Sequence, residues 1–265
     1  MTNLLTAAVL GLVEGLTEFL PVSSTGHLII TGYLLEYTGP KAESFQVAIQ
    51  LGAILAVVFL YKERFAALFR FRTGHGRFSG LRGWYLLALT SAPASVLGLL
   101  THSFIKEHLF GPVTVAWALA AGALYILAVE HKGEGSRYET LDDVSPALAL
   151  GIGMFQCLAL WPGFSRSAAT IMGALLLGSR RRLAAEYSFV AAVPIMFAAT
   201  GYDMYKSYSL FSPADIPFWA VGLLVSFASA WAAVKGFIHL VGRVTFRPFA
   251  WYRLALAPVV LLFWS

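Results

Sequence analysis

Charged side chains are scarce in this 265-residue chain: Asp, Glu, Lys and Arg make up 12% of it, against roughly 25% in soluble domains. With 58% hydrophobic residues and a mean hydropathy of +0.71, so few ionic groups cannot clothe a surface in water. The composition is that of a polytopic protein of the lipid bilayer. Cysteine is nearly absent too. Cys157 stands alone, which excludes an intrachain disulfide and a cysteine-rich metal site and says nothing about redox compartment. A basic start is also missing, and the first apolar run carries Glu14 and Glu18, so it does not read as a secretory signal. In a soluble protein the net charge of +5 would suggest nucleic acid; here it reads as basic cytoplasmic loops, and no nucleic-acid partner is expected.

What the chain has is apolar length. Six segments suit a bilayer core of about 20 residues per helix: 43–61, 84–101, 112–130, 187–205, 216–239 and 250–264. Regions 3–35 and 146–178 differ, each being an apolar limb, a Pro-Ser-rich break and a second limb. The second limbs, 26–36 and 166–178, would reach roughly 16–20 Å, about half the hydrocarbon thickness. Each region therefore reads as a re-entrant helical hairpin, although a full crossing by 3–20 stays open. Lys and Arg set the orientation. Loops 62–83, 131–145, 178–186 and 241–253 hold 14 of them, whereas the opposite loops hold Lys41, Lys106 and Lys206. The basic set belongs in the cytoplasm, which leaves both termini outside.

Each half is then a hairpin plus three crossings, and the odd number inverts the second half relative to the first. The expected fold is an all-α integral membrane protein built as an inverted repeat, 1–142 and 143–265. It has six transmembrane helices and two re-entrant hairpins whose tips meet near the midplane.

The polar residues of the two broken regions correspond at an offset of 142: Gly11 with Gly153, Glu14 with Gln156, Ser23 with Ser165 and Thr25 with Ser167. Such groups are costly at membrane depth and rarely persist there without a role. Glu14 and Glu18 lie one turn apart on one helical face. Two close carboxylates cannot both ionise cheaply, so either one holds a proton or a divalent cation neutralises the pair. His27, three residues after Ser24, can give or take a proton if Gly26 opens the short limb. Arg166 offers a fixed charge and a bidentate fork for phosphate oxygens, or a counter-ion for the glutamates. Ser24 is a candidate nucleophile. Ser23, Thr25, Gly26, Ser165, Ser167 and Thr170 surround the breaks as phosphate ligands or as helix caps. Gln50 either bonds the site or bonds a neighbouring helix. Lys235 and His239, with Asp203, read as snorkelling residues at span ends, and Trp84, Tyr85, Trp251 and Tyr252 as interface belts. Together the parts make an anion site suited to phosphoryl transfer, and a buried one is best reached by an anion carried on a lipid.

Val13-Glu14-Gly15-Leu16-Thr17-Glu18-Phe19-Leu20-Pro21-Val22-Ser23-Ser24-Thr25-Gly26-His27 resembles the undecaprenyl-pyrophosphate phosphatase family, also called the bacitracin-resistance family. Pro162-Gly163-Phe164-Ser165-Arg166-Ser167-x-x-Thr170 and Gln50-Leu51-Gly52-Ala53 fit it as well, and the resemblance covers essentially the whole chain. It implies an inner-membrane enzyme whose site opens outward. That enzyme converts the C55 isoprenyl pyrophosphate to the monophosphate carrier lipid of peptidoglycan synthesis, and requires a divalent cation, Mg or Ca. On that reading Ser24 attacks phosphorus, His27 or Glu18 takes its proton, Arg166 steadies the oxyanions, and Glu14 with Glu18 holds the cation. His27 as nucleophile is the nearest variant. The acid-phosphatase-like lipid phosphatases are excluded: Leu240 replaces the lysine their first motif needs before Arg247-Pro248, and Met172 replaces the histidine needed after Ser165-Arg166. A transporter or flippase of an anionic isoprenyl lipid is the rival from another class. Oligomeric state, monomer or homodimer, is open.

Overall fold

A computed structural model describes residues 3–71, 77–109, 111–132 and 137–263. Arg72 of the basic loop and residue 264 of the last apolar segment lie outside them, as does the side chain of Lys106. Eleven α-helices carry the described chain: α1 (Leu4–Thr17), α2 (Ser24–Leu34), α3 (Pro40–Leu60), α4 (Lys62–Leu68), α5 (Gly80–Phe104), α6 (Pro112–Lys132), α7 (Pro146–Gln156), α8 (Arg166–Leu176), α9 (Arg181–Lys206), α10 (Ile216–Val241) and α11 (Arg247–Phe263). The described residues form no strand; Tyr138 and Ser179 make an isolated bridge.

Start signals in the sequence account for several of these ends. Asn3 caps α1 by accepting from the Leu5 amide at 2.9 Å, and Ser145 caps α7 ahead of Pro146 at the first helical position. Pro40 opens α3 in the same way.

Five helices are long and apolar enough to cross a membrane: Pro40–Leu60, Gly80–Phe104, Pro112–Lys132, Arg181–Lys206 and Pro213–Val241. The sixth apolar segment falls on α11, which runs 17 residues. The first limb of region 3–35 is 14 residues long, about 21 Å at 1.5 Å per residue, shorter than the roughly 30 Å that the full crossing left open by the sequence would need. The short limbs α2 and α8 each run 11 residues, about 16 Å.

Long side chains such as Leu99 and Leu100 on α5, Trp117 on α6 and Leu224 on α10 face outward, as lipid-facing residues do. Inside, α1 and α3 pack on α10, α7 packs on α5, α6 on α11, and α3 on α9. The offset-142 glycines permit two of these contacts. A Cβ on Gly11 would strike the Gly222 backbone of α10, and one on Gly153 would lie 2.7 Å from the Thr90 carbonyl of α5. Small residues let helix backbones approach where apolar lipid gives no drive for helix association.

Candidate active site

The breaks between α1 and α2 and between α7 and α8 end in the same way. Ser23 (φ 71) and Ser165 (φ 77), 142 residues apart, both take left-handed backbone and sit at the N-caps of α2 and α8. A non-glycine residue there carries strain of about 1–3 kcal/mol, and such strain clusters at functional sites. Ser165 uses its hydroxyl locally, accepting from the Ala168 amide at 3.3 Å and meeting the Ser167 hydroxyl at 3.0 Å. Ser23 does not. Its Oγ is buried without a partner and makes no cap bond. The first short helix begins at Ser24, not at Gly26 as the sequence suggested, because Ser23 supplies the turn.

The two tips touch. The Ser167 hydroxyl donates to the Leu20 carbonyl at 2.8 Å. Arg166 Nη2 donates to Glu18 Oε1 at 3.2 Å, and the guanidinium lies 5.3 Å from the centre of the Phe19 ring. On the other oxygen, Glu18 Oε2 accepts from Ser24 Oγ at 2.6 Å. One carboxylate from the end of α1 therefore joins the first residue of α2 to the first residue of α8. The Arg166 and Glu18 side chains are 14% and 9% exposed, so the pair is largely shielded from solvent.

Arg166 is held from behind as well. Its Nη1 donates to the Ser188 carbonyl at 3.2 Å, and the Ser188 hydroxyl of α9 meets Thr170 Oγ1 at 2.6 Å. Thr170 also donates to the Arg166 carbonyl at 2.9 Å, so it orders the first turn of α8. Nε of Arg166 has no partner.

Glu14 is fully buried, and neither of its oxygens accepts a hydrogen bond among the described residues. It interacts electrostatically with both Glu18 and Arg166. Its counterpart Gln156 donates to the Thr90 carbonyl at 3.2 Å and leaves its own oxygen unpaired. Buried polar atoms without partners are rare and call for an explanation. Here Glu14, Ser23 and Arg166 contribute such atoms around one cluster.

His27 turns away from Ser24. Its Nδ1 lies 2.7 Å from the Ser23 carbonyl and its Nε2 lies 2.6 Å from Tyr252 Oη, with the two rings stacked at 5.5 Å. A carbonyl can only accept, so Nδ1 carries the proton, and when the ring is neutral Nε2 accepts from the tyrosine. Tyr252 is thus a neighbour of the cluster and not only the interface-belt residue the sequence suggested. No sequence pattern marks it, because the contact spans 225 positions.

Arg253 is the larger correction. By sequence it falls in the basic loop 241–253, yet it is fully buried. Its guanidinium donates to the carbonyls of Pro21, Ala118, Leu119, Gly163 and Phe164. Three of those acceptors belong to the two breaks, so one side chain of α11 clamps both tips. Its place inside the apolar segment 250–264 is a hint of burial, but the carbonyls it binds leave no mark in the sequence.

The remaining expectations divide. Thr25 is half-buried and makes no side-chain hydrogen bond among the described residues, and Gly26 packs under Leu119 and Leu256. Gln50 sits half-buried on α3 with no hydrogen bond to the cluster. Among the described residues no group of three or more His, Cys, Asp or Glu could hold a metal. Glu14 and Glu18 remain as a two-carboxylate pair, a donor type that suits a hard divalent cation completed by water and phosphate oxygens.

The fold and the cluster together define a class: a protein all-helical among its described residues, with five helices long and apolar enough to cross a membrane, in which two helix breaks bring carboxylate, hydroxyl and guanidinium groups to one buried place. Residues 7–259 match the family model for the bacitracin resistance protein BacA, and the chain belongs to that family. The chain is 99% identical over 265 residues to an undecaprenyl-diphosphatase of Oleidesulfovibrio alaskensis, with all of both chains covered. It is 72% identical to that of Maridesulfovibrio salexigens, again across both full lengths. With that of Lawsonia intracellularis it shares 53% identity over 264 residues, covering 99% of this chain and 98% of the relative.

Proposed function

We propose that this protein is a membrane undecaprenyl-diphosphatase. It hydrolyses the C55 isoprenyl pyrophosphate to the monophosphate and inorganic phosphate, recycles the peptidoglycan carrier lipid and thereby confers bacitracin resistance. The observation that carries this reading is Glu18, hydrogen-bonded at once to Ser24 at 2.6 Å and to Arg166 at 3.2 Å. A nucleophile, its proton acceptor and an anion-binding cation meet there.

Ser24 Oγ attacks the terminal phosphorus while Glu18 Oε2 takes its proton, and the bond to the bridging oxygen breaks to release isoprenyl monophosphate. Glu18 passes that proton to the departing bridging oxygen, takes one from water as the water attacks phosphorus, and returns it to Ser24 Oγ as the serine–phosphorus bond breaks and phosphate leaves. Arg166 binds the equatorial oxygens, aided by the first-turn amides of α2 and α8 and by the Ser23 hydroxyl. Geometry favours Glu18 over His27 as base, because the imidazole bonds Ser23 and Tyr252 instead of Ser24. His27 then acts by fixing the Ser23 carbonyl, and hence the strained turn ahead of the nucleophile. As a nucleophile it would first have to give up Tyr252. A divalent cation, Mg or Ca, would be held by Glu14 and Glu18 and would neutralise pyrophosphate charge.

The inverted repeat of 1–142 and 143–265 is supported by the packing pairs: α1 on α10 mirrors α7 on α5, and α2 on α11 mirrors α8 on α6. The matched Ser23 and Ser165 turns fit the same two-fold relation. On this reading α1–α2 and α7–α8 are re-entrant hairpins and α11 is the sixth crossing. The basic loops face the cytoplasm, and the site opens to the outer side of the inner membrane, where the pyrophosphate is left after cell-wall assembly.

Purified protein in detergent, given the C55 pyrophosphate, should release phosphate, and Ser24→Ala should abolish that release. A transporter or flippase of the same lipid would liberate none, so absence of release by the unaltered chain overturns the proposal.

A further inference from the structure

Away from the cluster, a groove of about 850 Å³ opens where the end of α10 meets the start of α9. Arg182, Trp231, Lys235, His239 and Arg243 line it, and no carboxylate does. Gly236 and Gly242 lie in its wall, and a Cβ on either would meet nothing within 4 Å. The cations are only partly answered. Arg182 bonds Glu186 at 3.0 Å and the Lys235 ammonium lies 4.9 Å over the Trp231 ring, while Arg243 and His239 have no ionic partner among the described residues.

The face of α10 leading into the groove changes character along its length. Leu224, Trp231, Lys235, His239 and Gly242 follow one another at steps of seven, four, four and three, which keeps them on one side of the helix. The stripe is exposed throughout; its first part is apolar (Leu224 68%, Trp231 37%) and its end is basic. That order, apolar then aromatic then cationic, matches an acyl chain, the interface and a headgroup.

We propose that this groove binds the phosphate headgroup of an anionic phospholipid, with an acyl chain along Leu224 and Trp231. Lys235 and Arg243 supply the charge, and the glycine wall admits the headgroup between them. Placing the lipid in the cytoplasmic leaflet rests on the orientation proposed above; the binding itself does not. A phosphate ester on a lipid and free phosphate share the chemistry recognised here, but only the lipid has a use for the apolar half of the stripe.

The test is native mass spectrometry of the full chain in neutral detergent, titrated with phosphatidylglycerol, with phosphatidylcholine of the same chains, or with inorganic phosphate. Phosphatidylglycerol should be retained at least tenfold better than phosphatidylcholine. The double variant Lys235→Gln/Arg243→Gln should weaken that retention roughly thirtyfold, from the usual contribution of two interfacial cations. Gly236→Leu, which fills the groove and leaves every charge in place, should weaken it as well. Equal retention of the two lipids, or unchanged binding in either variant, overturns the proposal. Displacement of phosphatidylglycerol by millimolar phosphate overturns the lipid assignment in favour of a free-anion site. Phosphate release should persist in all the variants, because none of these residues touches Ser24, Glu18 or Arg166. That separates failure of the groove from failure of the enzymatic reading.

Discussion

Ser24 donates to Glu18 Oε2 at 2.6 Å across the break between α1 and α2, whereas no hydrogen bond joins Ser24 to His27 on its own helix. Spacing alone made His27 and Glu18 equal candidates for the base. Helix geometry separates them: His27 stands three residues beyond Ser24, and its ring folds back to the carbonyl that precedes the helix.

Replacing Glu18 with Gln preserves the shape of the Ser24 contact but removes both the proton acceptor and the partner charge of Arg166. The expected loss in kcat is about 10²–10⁴-fold, the range for general-base removal. His27→Gln should cost less. Phosphate-release rates on the C55 lipid decide it, and Glu18→Gln retaining more than a tenth of activity would exclude the carboxylate as base.

Tyr252 Oη reaches His27 Nε2 at 2.6 Å while the rings stack. Tyr252→Phe keeps the stack and removes one hydrogen bond worth about 0.5–1.5 kcal/mol, so kcat/KM should fall by roughly two- to tenfold. A residue that merely marks the membrane interface would give no change in the same assay.

Arg253 bonds both tips through backbone carbonyls, and its fork has no equivalent in an ammonium group. Arg253→Lys should lower stability by about 2–4 kcal/mol through acceptors left unpaired. Activity should drop in parallel, because the tips separate. Thermal unfolding in detergent together with initial rates tests both. Unchanged stability in the lysine variant would mean the carbonyls find other partners.

Ser23 offers a case where stability and activity should move in opposite directions. Its φ of 71 suits glycine, and its buried hydroxyl has no partner. Ser23→Gly should therefore raise stability by about 1–2 kcal/mol while phosphate release falls, if that hydroxyl serves the phosphate. Ser165→Gly relieves the same strain but deletes a cap to Ala168, so its gain should be smaller. Paired melting curves and rates distinguish the two serines, and full activity in Ser23→Gly would remove its hydroxyl from the site.

These contrasts explain which features the sequence carried. Glu14, Glu18, Ser24 and Arg166 were legible because polar residues in an apolar run are expensive, and a spacing of four puts Glu14 and Glu18 on adjacent turns. The broken limbs were legible from length. Tyr252, Ser188 and Arg253 were not, since each acts through a contact that only tertiary packing creates, the last with backbone carbonyls that leave no mark in a sequence. An arginine near the edge of an apolar segment reads equally well as a loop cation. The short helix α4, Lys62–Leu68, lies within what the sequence presents as the basic loop 62–83, because seven residues cannot display a helical period clearly.

Glu14 tests what neutralises the carboxylate pair. It is fully buried with both oxygens unbonded, and its counterpart in the second half is Gln156, an isosteric amide that the fold accepts at the matching position. Packing therefore does not require a carboxyl group at residue 14. Glu14→Gln should leave the melting temperature unchanged or higher, because a buried carboxyl group without a hydrogen-bond donor is replaced by a neutral amide. If a divalent cation is what the pair holds, chelation should silence the unaltered protein and Mg or Ca should restore it, while Glu14→Gln should need at least tenfold more metal for half-maximal rate, in line with loss of one charged ligand. If a shared proton does the work instead, chelator leaves the rate untouched and the metal titration is flat for both proteins, which rules out the cation at this site.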